Sequence, residues 1–382
     1  MFHNKKHPQL LAPLPLWETE QVFFCDEDWL NNLLSDIKSA QKSIQLQTYI
    51  FELDTVGIPI LNALCAASAQ GIKVCVIVDG IGSFGAIKPI QKALQNHGAE
   101  LAVYHPLPWC LSTGQLRRAA WISHILMRWT SINKRQHSKL CLVDGYIAWV
   151  GSFNITDKHI FRANADNNWI DAVARVTGGR CVLLGEFFSA VWTHNIHKLS
   201  AYFLRYPITN YSRVLRKKRL KKLLESMSCA TQRIWIESAY FSPTDVLIRA
   251  LKAAAVRGID VHIIVSKKSD VPFFPALSST YYMDLLHAGV HIHAYSKGIL
   301  HTKYMVIDER LVIGSSNMNH RSLLHDIELD IELFKPSSIE SIENHFQEMV
   351  QNSKEITAEN ISKRYARLVM LGQIPRLLRY WL

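Results

Sequence analysis

The chain writes one pattern twice. His137-Ser-Lys139 is followed by an apolar run to Asp144, a short turn, a second apolar run and Gly151-Ser152-Phe-Asn154. The second copy runs from His301-Thr-Lys303 through Asp308 to Gly314-Ser315-Ser-Asn317. In each copy an imidazole and an ammonium stand two residues apart, so on an extended strand both point to one face. Two apolar runs around a turn read as a β-hairpin. A single His-x-Lys pair is most simply an accidental surface pair. Two pairs with the same downstream pattern require a duplicated unit.

The flanking sequence repeats as well. Asp26 to Ala40 reads as a helix with Trp29, Leu30, Leu33, Leu34 and Ile37 on one face. Ser43 to Phe51 reads as a strand, Ile58 to Gln70 as a helix stopped by Gly71, and Lys73 to Asp79 as a buried strand. A helix over about Ile87 to Asn96 and a strand over about Ala99 to Tyr104 follow. The second half answers with a strand over Arg233 to Tyr240, a helix over Asp245 to Val256 and a strand over Asp260 to Val265. Ala66-Ala67-x3-Gly71-Ile72-x-Val74 matches Ala253-Ala254-x3-Gly258-Ile259-x-Val261. Alternating strands and helices predict an α/β fold with βαβ units and a largely parallel sheet in each half. The expected organisation is a first half over 1–200, a basic connecting segment over 201–222, a second half over 223–354 and a basic amphipathic tail over 355–382.

The net charge of +11 calls for an anionic partner: nucleic acid, acidic lipid or a phosphorylated substrate. Seven scattered cysteines without a C-x-x-C pair predict a reduced compartment and neither a disulfide framework nor a zinc site. The first eight residues lack the apolar core of a signal peptide, and no apolar run is long enough to span a bilayer. A soluble or peripheral protein is expected. From Gly71 to His137 is 66 positions but from Gly258 to His301 only 43, which leaves an insert of about 23 residues within Pro106 to Arg135. Its Trp109, Trp121 and Trp129 alternate with leucines and with Arg117, Arg118 and Arg128. That composition suits a membrane interface or a helix packed over the protein's own sheet. The cluster from Arg213 to Lys222 and the tail from Ile361 to Leu382 carry the same two readings, and three such segments together favour a membrane surface over nucleic acid.

Two histidines, each beside a lysine, suit phosphodiester exchange through a covalent intermediate. One imidazole attacks phosphorus; the other protonates the leaving alkoxide and then activates the incoming hydroxyl. Lys139, Lys303, Asn154 and Asn317 would hold the non-bridging oxygens, with Ser152 and Ser315 as weaker candidates, so neither metal nor other cofactor is called for. A nucleophilic imidazole needs an acceptor on its other nitrogen. Asp171 and Glu328, 34 and 27 positions beyond their histidines, are the candidates, although Asp326 and Asp330 alternate onto the face of Glu328. Asp144 and Asp308 stand before tight turns and read as turn residues as readily as catalytic ones.

The two H-x-K-x4-D patterns followed by G-S-x-N resemble the phospholipase D superfamily over nearly the whole chain. Within it the chain is most similar to bacterial cardiolipin synthases of the short type without N-terminal spanning helices. Leu46-Gln-Thr-Tyr-Ile-Phe51, Trp169-Ile-Asp171, Tyr240-Phe-Ser-Pro243 and Asn317-Met-Asn-His-Arg-Ser322 add to the likeness. The resemblance implies two α/β/α halves about a pseudo-twofold axis, with one active site at their interface. It implies a phosphohistidine intermediate, with His137 as nucleophile, His301 as general acid, Asp171 and Glu328 orienting the histidines, and Asp144 and Asp308 supporting the hairpins. The implied substrates are anionic phospholipids, phosphatidylglycerol or else phosphatidylethanolamine, met peripherally on the cytoplasmic side of the membrane. A hydrolase or nuclease of the same superfamily, or a non-catalytic membrane adaptor, is the alternative. The second copy departs by one residue: five positions separate Asp308 from Gly314, where six separate Asp144 from Gly151.

Overall fold

A computed structural model describes residues 17–24, 27–106, 134–160, 169–200, 203 and 209–361. The first half supplies β1 (Thr19–Phe23), β2 (Ser43–Thr48), β3 (Lys73–Asp79), β4 (Glu100–Tyr104), β5 (Leu140–Val143), β6 (Ile147–Gly151), β7 (Trp169–Ile170) and β8 (Val173–Thr177). The second supplies β9 (Arg233–Ser238), β10 (Asp260–Ser266), β11 (His291–Tyr295), β12 (Ile299–Leu300), β13 (Lys303–Ile307), β14 (Arg310–Gly314), β15 (Asp330–Leu333) and β16 (Ser353–Ile356). Each half builds one seven-stranded sheet, β1-β8-β6-β5-β2-β3-β4 and β15-β14-β13-β9-β10-β11-β16. Six strands correspond one to one. The seventh flanks opposite ends, β1 beside β8 and β16 beside β11. Strand β16 also carries the second sheet past residue 354, where composition placed the start of the tail.

The sheets are mixed rather than largely parallel. Only β2-β3-β4 and β9-β10-β11 run parallel. The tight turns joining β5 to β6 and β13 to β14 leave no room for a crossover, so those neighbours are antiparallel. Strands β2 and β9 also end earlier than their sequence patterns, because the backbone N–H groups of Ile50 and Tyr240 leave the ladder and donate to the side-chain oxygens of Asn154 (3.2 Å) and Asn317 (3.3 Å).

Apolar side chains gather in three cores. One lies under the helices Gly57–Ala69 and Ile87–Asn96 of the first half, around Ile60, Leu64 and Ile90. Another lies under the helix Asp245–Val256 of the second, around Leu247, Leu251 and Ile263. The third joins the halves: Leu140, Val150 and Ala172 pack with Val306, Ile313 and Leu329, and the helices Val182–Trp192 and Pro336–Gln351 add Phe187, Leu184, Ile342 and Phe346. Burial of this inner face, at about 25 cal/mol per Å² of apolar surface, presses the two sheets together.

The close approach inside each sheet explains the glycine of each Gly-Ser-x-Asn. A Cβ on Gly151 would stand 2.4 Å from the carbonyl oxygen of Ala172, and one on Gly314 would stand 2.3 Å from that of Leu329. The one-residue difference downstream of the aspartates is absorbed in the turns. Val143 pairs with Ile147 across three turn residues, whereas Ile307 pairs with Arg310 across two, Asp308 and Glu309. Asn317 keeps the contact that Asn154 makes, so the shorter turn does not reach the site.

Asp144 and Asp308 lie in these turns, with φ of 54° and 50°, at the ends of β5 and β13 opposite to His137 and His301. Asp144 accepts from the backbone N–H of Gln41, Lys42 and Ser43 at 2.8 to 2.9 Å. Asp308 does the same for Thr231, Gln232 and Arg233 at 2.8 to 3.1 Å. Partial burial would raise these carboxyls, but the backbone donors outweigh it and hold both below the ordinary range. Their reading as catalytic is therefore corrected: each fastens a hairpin turn to the start of β2 or β9.

The basic cluster lies on the helix Arg213–Cys229, which runs unbroken across residue 222. Part of its charge is spent internally. Arg219 binds Asp330 and, at 2.7 Å, the Ser316 hydroxyl, while Lys222 lies 2.7 Å from Glu332. The readings of the insert and of the C-terminal tail fall almost wholly outside the described residues. Among those described, no helix is long and apolar enough to cross a membrane.

Removing a side-chain acceptor that caps several backbone donors costs about 0.5–2 kcal/mol. Asp144→Ala and Asp308→Ala should each lower the free energy of unfolding by that order, read as a fall in the urea midpoint at unchanged slope, and additively, since they lie in different halves. An unchanged midpoint in both would contradict the fastening role.

Candidate active site

The halves meet through their backbones beside the histidines. The His301 N–H donates to the carbonyl of Ile170 at 2.8 Å, and the His137 N–H to that of Ile327 at 3.0 Å. Strands β7 and β12 pair in parallel there, and Gln136 bridges to Ile327 in the matching place. The residue after each of these carbonyls is an acid, so the register delivers Asp171 to His301 and Glu328 to His137. His301 Nδ1 lies 2.8 Å from Asp171 Oδ1, and His137 Nδ1 lies 3.1 Å from both Glu328 oxygens. Both carboxylates are fully buried.

This crosses the pairing expected from sequence, where each acid was assigned to the histidine of its own half. The physical reason is the strand order. Strand β6 stands between β5, which follows His137, and β8, which follows Asp171. At about 4.8 Å per strand the acid is some 10 Å from its own histidine's strand. The facing half is nearer.

Each carboxylate is held by further donors. Asp171 accepts from the Ser152 hydroxyl and from His159 Nδ1. Glu328 accepts from Ser315 at 2.5 Å and Ser322 at 2.6 Å. Ser152 and Ser315 thus serve the orienting acids, which corrects their reading as phosphate contacts. Each also receives the backbone N–H that follows its acid, from Ala172 at 3.1 Å and from Leu329 at 3.0 Å. Asn154 turns its amide nitrogen to His159 Nε2 at 3.4 Å. Asp326, Glu328 and Asp330 are all buried, and each has its own partner: the Arg321 guanidinium, the His137 imidazole and the Arg219 guanidinium.

Lys139 and Lys303 are buried beside the histidines, each donating to the carbonyl of its own His, at 2.6 and 2.5 Å. Burial lowers Lys139 to about 7, helped by the charge of Lys303, and lowers Lys303 to about 8 against the pull of Asp171 and Glu328. Burial likewise pushes both imidazoles well below their ordinary value, with Lys139 and Lys303 adding to the effect on His137. The two acids differ. Burial raises Glu328 despite Lys139, whereas at Asp171 the two imidazoles and their hydrogen bonds overcome burial and hold it well below the carboxylate range. Both Nδ1 atoms are committed to carboxylates, so each histidine has Nε2 left for chemistry.

Several neighbours were not singled out as site residues from sequence. Tyr49 lies with its ring 5.1 Å from His137 and under the Lys139 ammonium at 5.7 Å. Trp169 lies 5.1 Å from the His301 ring. The Arg135–Asp79 ion pair (3.5 Å) and the bond from Arg135 N–H to Asp326 (3.0 Å) fix the chain entering His137. Burial drives Asp326 up to about 7 against the opposing charge of Arg321. His159 carried one signal: it stands five residues after Asn154, as Ser322 stands five after Asn317. Among the described residues, His159, Asp171 and His301 bring ligand-type atoms within 4.8 Å of one another. Both imidazoles present Nδ1 to that one carboxylate, which accounts for the cluster as a hydrogen-bonded triad.

Fold and site together define a two-half enzyme of the phospholipase D type. The family profile described as "Cardiolipin synthase, PLD-like domain" matches residues 33–178 and 223–350, and the chain belongs to that family. Cardiolipin synthase of Geobacillus sp. (strain WCH70) is 28% identical over 96% of this chain and 73% of its own length. That of Listeria innocua is 26% identical over 94% of this chain and 74% of its own. Among solved structures, phosphatidylserine synthase of Haemophilus influenzae superposes with a TM-score of 0.67 at 12% identity, over 95% of each chain. Polyphosphate kinase of Porphyromonas gingivalis reaches 0.62 at 14% identity, over 92% of this chain and 52% of that one.

The lowered lysines bear on stability. Between about pH 7 and the ordinary lysine value of 10.5, the unfolded chain holds protons that folded Lys139 and Lys303 have released. Folding therefore gains from rising pH across that window, by at most about 1.4 kcal/mol per pH unit for each lysine. Without lipid, the Lys139→Met/Lys303→Met variant should unfold at a higher temperature than the parent at pH 7, and the gap should close by pH 10. A gap independent of pH would contradict the buried, proton-shedding lysines.

Proposed function

We propose that this chain is a phosphatidyl transferase that makes cardiolipin, taking phosphatidylglycerol as both donor and acceptor. The observation that carries the reading is the pair of buried histidines, one from each half, each tied through Nδ1 to the other half's acid and each keeping Nε2 for chemistry. Membership of the cardiolipin synthase family and relatives so named support the substrate class.

In this mechanism His137 Nε2 attacks the phosphorus of phosphatidylglycerol, and the bond to the glycerol oxygen breaks. The bound phosphate anion favours a protonated His301, as it favours the charged lysines. This imidazolium, with one N–H on Asp171, gives its Nε2 proton to that oxygen, so glycerol leaves and a phosphatidyl-histidine remains. The hydroxyl of a second phosphatidylglycerol then loses its proton to His301 and attacks the same phosphorus, which restores His137 and forms cardiolipin. Lys139 and Lys303 hold the non-bridging oxygens. An arriving phosphate anion favours their charged forms, so positive charge appears where negative charge develops. Asp171 and Glu328 set the imidazole tautomers and orientation. Transfer prevails over hydrolysis when the site meets lipid rather than bulk water. The proposal includes a peripheral position on a phospholipid surface, on the cytoplasmic side of the membrane.

Purified protein on phosphatidylglycerol vesicles should release glycerol and form cardiolipin in equal amounts. His137→Ala and His301→Ala should each cut the rate by about a thousandfold or more. Phosphatidic acid as the only lipid product would make the protein a hydrolase. Cleavage of single-stranded DNA without lipid turnover would make it a nuclease.

A further inference from the structure

We infer that His159 is a positioning residue for His301, acting through Asp171, and that the lengths of His159 and Asp171 are matched to each other. The inference rests on the functional reading above for what His301 does, and on geometry for the rest.

The two halves solve one problem with exchanged parts. Five residues after its asparagine, the first half places His159 and the second places Ser322. His159 Nδ1 bonds Asp171 Oδ2, and the Ser322 hydroxyl bonds Glu328 Oε1 at 2.6 Å. Each donor thereby occupies the carboxylate oxygen opposite the one taken most closely by the Gly-Ser serine. Nδ1 of histidine stands one bond farther from Cβ than the serine hydroxyl does, and the aspartate oxygens one bond nearer than those of glutamate. A long donor meets a short acid in one half, and a short donor meets a long acid in the other. The sum of the reaches is the same.

The tautomer of His159 follows from its far side. Asn154 accepts the Ile50 N–H on its amide oxygen, which leaves the amide nitrogen facing His159 Nε2 at 3.4 Å. An amide nitrogen only donates, so Nε2 accepts and the ring's single proton sits on Nδ1, aimed at Asp171. His159 is 1% exposed and its ring meets His301 edge-on at 4.7 Å and Trp169 at 4.6 Å. It therefore fixes the carboxylate plane from beneath while staying out of reach of substrate. With Asp171 Oδ2 held by His159, His301 meets Oδ1, which it shares with the Ser152 hydroxyl. Without His159 the short carboxylate can turn, and the His301 ring turns with it.

The test rebuilds the second half's arrangement in the first. His159→Ser should lower kcat on phosphatidylglycerol vesicles by about 10- to 100-fold with KM little changed, the size of effect a misplaced catalytic group produces. Asp171→Glu alone should also lose activity. His159→Ser/Asp171→Glu should recover to within about threefold of the parent, because the summed reach is restored. The downfield Nδ1–H proton resonance of His301 gives a readout that needs no substrate: displaced in His159→Ser, restored in the double variant. His159→Asn, which keeps a donor near the place of Nδ1, should hold both kcat and the resonance near the parent's. A double variant no better than its worse single, or a His301 resonance indifferent to residue 159, would overturn the inference. If the parent made no cardiolipin, the functional reading would fall, and the resonance would still decide the role of His159.

Discussion

Asp171 and Glu328 are ionisable groups with no exposure to water, and a buried carboxylate is costly by several kcal/mol unless donors surround it. Each has three side-chain donors, and in both cases one of the three is a histidine from the other half. Neither half can satisfy its own acid alone. The apolar core between the sheets presses the halves together, and the crossed imidazole–carboxylate pairs determine the register in which they meet. The backbone bonds from His301 to Ile170 and from His137 to Ile327 are part of the same constraint, because each places an acid one residue beyond the carbonyl it uses.

That constraint also sets the electrical state of the site before a substrate arrives. Burial holds the imidazoles neutral and leaves the lysines near the point of losing their protons, at about 7 and about 8. Such a pocket is short of negative charge, and a phosphodiester supplies it. The near-symmetry of the fold does not extend to the acids: Asp171 is held firmly ionised by two imidazoles, while burial pushes Glu328 upward. Two histidines in unequal settings suit the two unequal tasks of the proposed mechanism, attack on phosphorus and transfer of a proton.

Much of this was legible in the chain. The His-x-Lys pairs and the Gly-Ser-x-Asn turns are local patterns whose chemistry and geometry travel together, so the hairpins could be placed to within a residue or two. The strand Lys73–Asp79 and the helices Ile87–Asn96 and Asp245–Val256 have the predicted bounds. What was not legible is what depends on strand order. Asp171 was taken as the acid for His137 and instead meets His301, because spacing along the chain does not say that β6 intervenes. Ser152 and Ser315, the weaker candidates for the phosphate, face the acids, since a strand pattern does not report which neighbour a turn's side chain meets. The prediction of largely parallel sheets failed at the hairpins themselves, whose turns were already visible. His159 was passed over because a lone histidine says little until Ser322 is laid beside it.

The account stands on the two histidines forming one site rather than two. The stoichiometry of the covalent intermediate tests this most directly. Phosphatidylglycerol labelled at phosphorus, mixed with the enzyme and quenched in alkali within one turnover, should leave label on histidine at no more than one phosphoryl per chain. The label should be confined to His137 and be absent in His137→Ala. Label on both histidines, approaching two per chain, would show two independent sites and contradict the crossed arrangement as the basis of catalysis.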